Sequence, residues 1–151
     1  SSGIAIIRVG GATQVEVTEK KHRVEDALEA VKSAQEEGLT IGGGVALLRA
    51  VESLEVEHEN DTQELGQKII LEVIKEPARQ MAINAGLSPD LTLAKIENEK
   101  GNIGVDYATG EVLDLYEKGV IDPVKVTRCA LQNAASAAGT LLTTNYAIVE
   151  V

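Results

Sequence analysis

Gly38-Leu39-Thr40-Ile41-Gly42-Gly43-Gly44-Val45-Ala46-Leu47-Leu48 decides how this chain is read. A helix-ending glycine is followed by a short apolar run, three consecutive glycines and the first turn of another apolar helix. Glycines placed just before a helix let a ligand touch the backbone, where unsatisfied amides and the positive end of the macrodipole favour anions. A tight connection between two helices explains the same triplet. No Gly-Lys-Ser or Gly-Lys-Thr follows, so it is not a Walker loop, and the glycines are not spaced as a dinucleotide fingerprint.

Working back from Gly38, the apolar positions Val24, Ala27, Leu28, Val31 and Ala34 recur at steps of three and four, predicting a helix over about 18–37 that Gly38 terminates. Asp26 lies off that stripe. Before it, Ile4-Ala5-Ile6-Ile7-Arg8-Val9 reads as a strand, and Thr13 to Val17 as a short strand or a helix entry.

Working forward, Val45, Leu47, Leu48, Val51 and Leu54 predict a second helix, and 55–62 a polar loop. Leu65, Ile69, Ile70, Val73 and Ile74 give a third stripe, interrupted by Pro77 and resuming to Gly86. Ser88-Pro89-Asp90 initiates another helix carrying Leu91, Leu93, Ala94 and Ile96, with a loop over 97–104. Val105 to Val112 reads as a turn-rich segment or hairpin, and Leu113 to Lys118 as a short helix closed by Gly119. The last helix starts at Asp122-Pro123, with Asp as cap and Pro in the first turn, and bears a stripe of small side chains. Ala147 to Val151 reads as a final strand. The expected fold is mainly α: a helical bundle with one long helix and a few short strands at the ends.

Composition narrows the function classes. At 151 residues the chain is long enough for one ordinary core. With 2% aromatics and neither Trp nor Phe, stacking of bases on aromatic platforms is disfavoured. A net charge of -10 repels phosphate backbones and anionic lipid, so neither nucleic acid nor membrane is expected as a partner. No apolar run approaches the roughly 20 residues that span a bilayer, and the first residues lack the basic, apolar and small-residue regions expected of a signal peptide. The lone Cys129 fits a reducing compartment, cytoplasm or organelle matrix, and reads as a small residue packed in an Ala-rich helix. The chain begins without Met, which hints at a fragment.

Few residues carry chemistry. Asp26 is either a solvated carboxylate or one held by its helix to orient a water for attack on a terminal phosphate. Asp122 can cap its helix and still offer an oxygen to ribose hydroxyls. Asp106-Tyr107-Ala108 is either a surface turn or a binding segment on a rigid scaffold. His22 and His58 stand alone, so no metal site is expected.

The order and spacing of Glu19-Lys20-Lys21-His22-Arg23-Val24-Glu25-Asp26-Ala27-Leu28, Gly42-Gly43-Gly44-Val45-Ala46-Leu47 and Gly119-Val120-Ile121-Asp122-Pro123-Val124-Lys125-Val126-Thr127-Arg128 resemble the GroEL family of group I chaperonins. The similarity runs from Ile4 to Val151. It implies the equatorial helical bundle of an ATP-driven ring of identical subunits, which encloses unfolded polypeptide clients with a lid co-chaperonin. Residues 1–37 then match the apical boundary and the intermediate-domain helix, and 38–151 the C-terminal half of the equatorial domain. Asp26 matches the carboxylate that promotes hydrolysis, and Gly43 a backbone contact to nucleotide. Asp106, Tyr107 and Ala108, with Val120 nearby, match the adenine wall, and Asp122 the ribose-binding acid.

The chain also departs from that pattern. Val105 stands for an aromatic and Tyr107 for an Ala in the adenine segment. Ser88 replaces a Glu that pairs across rings with the Arg matched by Arg79, and Gln14 replaces a commonly acidic residue. The phosphate loop with the acidic Mg2+ ligand is not among these residues, so this chain alone is expected to be inactive. These substitutions also leave open a helical assembly module that has lost nucleotide turnover.

Overall fold

The computed structural model describes residues 3–149. Its first helix, α1 (Gln14–Glu37), starts where the Thr13 hydroxyl accepts the Glu16 amide at 3.2 Å while the Glu16 carboxylate reaches back to the Ala12 amide at 2.8 Å. This reciprocal capping turns the Thr13 to Val17 stretch into helix. At the other end Gly38, with φ of 84°, donates its amide to Ala34 O at 2.8 Å and ends the helix.

The rest follows as β1 (Leu39–Ile41), α2 (Val45–Glu52), α3 (Asp61–Val73), α4 (Glu76–Asn84), α5 (Pro89–Glu97), β2 (Ile103–Val105), β3 (Val112–Asp114), β4 (Ile121–Pro123) and α6 (Val124–Leu142). Pro77 falls in the first turn of α4, where its missing amide costs no hydrogen bond, so α3 and α4 are two helices and not one interrupted one. Pro89 opens α5 in the same way.

The fold is mainly α, as expected, but its strands are internal. β1 pairs antiparallel with β4, setting Thr40 opposite Asp122, and β2 pairs with β3 through Ile103 and Asp114. Gly42 N to Val120 O (2.9 Å) and Val124 N to Gly38 O (3.1 Å) extend the first ladder at its two ends.

Three expectations are corrected. Ile4 to Val9 forms no strand: the β-branched run meets no partner edge among the described residues, and Ile4 is 93% exposed. Ala147 to Val149 forms none either, and Glu150 and Val151 lie outside the described residues. Leu113 to Lys118 is not a helix, because Val112 to Asp114 is drawn into pairing with β2 and the chain then turns to Gly119.

The core is small and local. Ile41, Val45, Leu48, Ala78, Leu93, Ile96, Val105 and Leu115 form one cluster drawn from β1, α2, α4, α5, β2 and the turn after β3. Gly104 is squeezed within it: a Cβ there would lie 2.6 Å from Leu115 Cδ1 and 2.8 Å from Val45 Cγ2. Arg49 staples the same unit, donating to the carbonyls of Ile96 (2.9 Å), Ile103 (3.0 Å) and Gly101 (3.1 Å). By contrast α1, α3 and α6 contain no buried residue. The end of α1 is held to α6 by Arg128 Nε to Glu37 Oε2 at 2.8 Å and by Lys125 with Glu36. Among the described residues no helix is long and apolar enough to cross a membrane.

Candidate functional site

The β1–β4 clip delivers the glycine turn. Gly42 sits so close to the opposite strand that a Cβ would lie 3.2 Å from the Val120 carbonyl carbon and oxygen. Gly43 and Gly44 follow with φ of 66° and 72°, left-handed backbone that side-chain-bearing residues adopt only with strain. A Cβ on Gly44 would also meet Met81 Cε at 2.8 Å and Ala78 N at 3.1 Å. The turn is therefore wedged between the entry to β4 and the start of α4. Since its cap is a glycine, no side chain satisfies the first amides of α2.

Asp122 lies beside this turn on β4. The expected capping role is not what the structure has: Pro123 is the cap of α6, and no side-chain bond is made there. The helix begins at Val124, one residue later than the Asp-Pro signature suggests, so Asp122 stands one position before the cap. Among the described residues its oxygens take no hydrogen bond or ion pair. The residue keeps solvent contact, while packing on its protein side desolvates the carboxyl and raises its pKa above the ordinary aspartate value.

The segment after β2 supplies the facing wall. Asp106 Oδ1 accepts the Ala108 amide at 2.9 Å, an Asx turn, so one of its oxygens is spent on local structure. Tyr107 points inward, and its hydroxyl lies 3.0 Å from Gly43 O and 3.3 Å from Ala78 O. Burial raises its phenol pKa. Ala108 is exposed. Val105, in the place of an aromatic, is wholly in the core at 1% exposure.

Of the seven residues singled out from sequence, the structure gathers Gly43, Tyr107, Val120 and Asp122 around one turn, with Asp106 and Ala108 adjoining. Asp26 is not gathered. It is exposed, without a partner among the described residues, and eleven residues before Glu37 on α1, about 16 Å along the helix axis. The α1 side chains that hydrogen-bond to α6 are Glu36 and Glu37. Arg79, whose cross-ring partner in the resembled pattern is replaced by Ser88, is engaged within the chain by Asp90 Oδ1 at 2.8 Å. Thr40, Ala78 and Met81 help to frame the turn and were not foreseen; β1 is only three residues long and too short to show a period.

Among the described residues no group of three His, Cys, Asp or Glu could hold a metal ion. A separate open depression of about 490 Å³, bordered by Thr40, Arg49, Glu52, Asn102 and Tyr116 among others, includes none of the seven. Its most basic group, Arg49, is already occupied by carbonyls and by Glu52.

Comparison with known proteins agrees with this architecture. A crystal structure of a group III chaperonin in the open state superposes with a TM-score of 0.76 at 32% identity, over 93% of this chain and 30% of that one. This chain thus spans less than a third of the subunit it matches. The family profile described as TCP-1/cpn60 chaperonin covers residues 1–151. Motifs that resemble group I subunits therefore occur in a sequence that also aligns with group III, and the level at which all the observations agree is the family. With the fold, the profile and the glycine turn clipped to its aspartate in accord, the chain belongs to the TCP-1/cpn60 chaperonin family.

Proposed function

We propose that this chain forms the adenine and ribose side of the nucleotide site of an ATP-hydrolysing chaperonin subunit, and carries the acid that promotes hydrolysis. The observation that carries the reading is the β1–β4 pairing, which sets an uncommitted Asp122 opposite Thr40, two residues before the Gly42–Gly44 turn, across 82 positions of sequence. The residues fit a nucleoside: Asp122 can accept from vicinal hydroxyls, the Gly43 and Gly44 amides, unlike those of Gly42 and Val45, are not spent on Val120 O or Gly42 O and can face an anion, and Val120 offers an apolar edge. Asp106 and Ala108 border the base, and Gly43 contributes backbone.

Asp26 is assigned the second task, holding a water for in-line attack on the terminal phosphate. Its distance along α1 requires the helix to swing about Gly38, so residues 1–37 act as the moving intermediate segment and 38–151 as the equatorial seat. Mg2+ would be held by residues outside this chain. At the level of the assembly, the reading is an ATP-dependent ring of identical subunits that folds non-native polypeptides with a lid co-chaperonin, in the cytoplasm or an organelle matrix.

Two substitutions in the full-length subunit separate the two tasks. Asp26→Ala should retain ATP binding while slowing hydrolysis by on the order of 10²- to 10⁴-fold, and Asp122→Ala should weaken binding itself. Absence of ATP binding by the wild-type subunit in calorimetry would instead favour an assembly module without turnover, the reading to which the Val105 and Tyr107 substitutions point.

A further inference from the structure

The resemblance placed Tyr107 in the adenine wall, but its hydroxyl does something more specific. It reaches the carbonyl of Gly43 at 3.0 Å and that of Ala78, in α4, at 3.3 Å, and a phenol has one proton to share between them. Its ring stands against Gly43, where Cε2 would lie 3.4 Å from an added Cβ. Gly43 has left-handed φ and glycine on both sides, so nothing within its own sequence fixes the plane of its peptide. The turn is otherwise pinned by contacts of its neighbours: Gly42 on Val120 and Gly44 on Ala78 and Met81. Tyr107 alone holds the Gly43 carbonyl from a distant segment, 64 residues away.

We propose that Tyr107 is a positioning residue: by tying the Gly43 carbonyl to α4 it fixes the orientation of the Gly43–Gly44 peptide, and so of the Gly44 amide, for the nucleotide and couples nucleotide binding to the position of α4. The proposal rests on the nucleotide reading above and deepens it. A Gly43 carbonyl held inward by the phenol turns the amide of the same peptide, that of Gly44, the opposite way, where it can face an anion or a ribose-phosphate edge. Because Ala78 O is the second acceptor, a shift of α4 changes the strut, and ordering of the turn by ligand should in return protect α4. Asp26 lies on another element, so the strut is expected to act on binding and not on the chemical step.

The test uses the full-length subunit with wild-type, Tyr107→Phe and Asp122→Ala sequences. ADP affinity is measured by calorimetry, ATP turnover by steady-state kinetics, and amide exchange of 78–82 is followed with and without ADP. Tyr107→Phe keeps the ring and should weaken ADP about threefold to tenfold, the loss expected for one neutral hydrogen bond. KM for ATP should rise with kcat unchanged, and ADP-induced protection of 78–82 should diminish. If wild type binds ADP and Asp122→Ala does not, while Tyr107→Phe binds and protects α4 like wild type, the strut is overturned and the nucleotide site stands. A lowered Tm of Tyr107→Phe with unchanged affinity likewise overturns it, reducing the bond to one of stability. Failure of wild type to bind any adenine nucleotide removes the site, and the strut's role with it.

Discussion

The chain divides into a packed unit and three bare helices, and the contrast is instructive. From β1 through β4, leaving aside α3, short elements share one core in which Ile96, Leu115, Val45 and Val105 are almost fully enclosed. In α1, α3 and α6 the apolar residues are patterned just as clearly, yet none is buried: Ile69, Ile70 and Leu131 remain 55%, 57% and 43% exposed. Periodicity thus reports that a helix has an apolar face; whether that face is covered depends on what else the chain brings to it. All the gathered candidate residues lie in or beside the packed unit, and the one that was not gathered, Asp26, lies on a bare helix.

The comparison breaks most readily in the core. Ile96→Ala should destabilise the 151-residue chain by about 2–5 kcal/mol in urea unfolding, whereas Ile69→Ala in α3 should stay within about 0.5 kcal/mol of wild type. Equal effects would show that the two regions are not different in kind. The glycine turn should come next. Gly44→Ala forces both a left-handed alanine and a contact with backbone of α4, at a cost of about 1–3 kcal/mol.

Smaller still is the ion-pair link between the end of α1 and α6. The Arg128 guanidinium holds the Glu37 carboxyl below its ordinary value of 4.5. A depressed carboxyl pKa stabilises the folded arrangement above the unfolded pKa, and the contribution fades as pH falls from about 4.5 through the lower folded value. Amide exchange near the end of α1 should therefore accelerate over that acidic window in wild type and show no such dependence in Glu37→Gln. The least effect is expected at Asp122, where the sign is opposite. A carboxyl whose pKa is raised by desolvation costs stability when ionised, so Asp122→Asn should leave Tm equal to or slightly above that of wild type at neutral pH. A clear loss of stability would mean that Asp122 serves the fold.

Helix content, the Gly38 stop, the Pro89 start and the 105–112 hairpin region were legible because each is specified by neighbours in sequence. The strands were not. Ile4 to Val9 has the composition of a strand and no partner, while Leu39 to Ile41 and Ile121 to Pro123 have little strand character and pair because the packed unit brings them together. The same reason limits the site. Asp122 was read as a helix cap from its local Asp-Pro signature, and only the structure shows that the helix starts after Pro123 and that Asp122 belongs to a strand paired with Thr40. Tyr107 was recognised as a departure in sequence; that its hydroxyl reaches Gly43 and Ala78 depends on contacts 64 and 29 residues distant.

The central claim is that the β1–β4 clip presents Asp122 as an acceptor for sugar hydroxyls beside the glycine turn, and comparison of ADP with its 2′,3′-dideoxy analogue tests it most directly. Wild-type full-length subunit should bind ADP about ten- to a hundredfold more tightly than the analogue, the range for a charge-assisted hydrogen bond, and Asp122→Ala should bind the two alike. A substitution that leaves the preference for ADP intact would contradict the account.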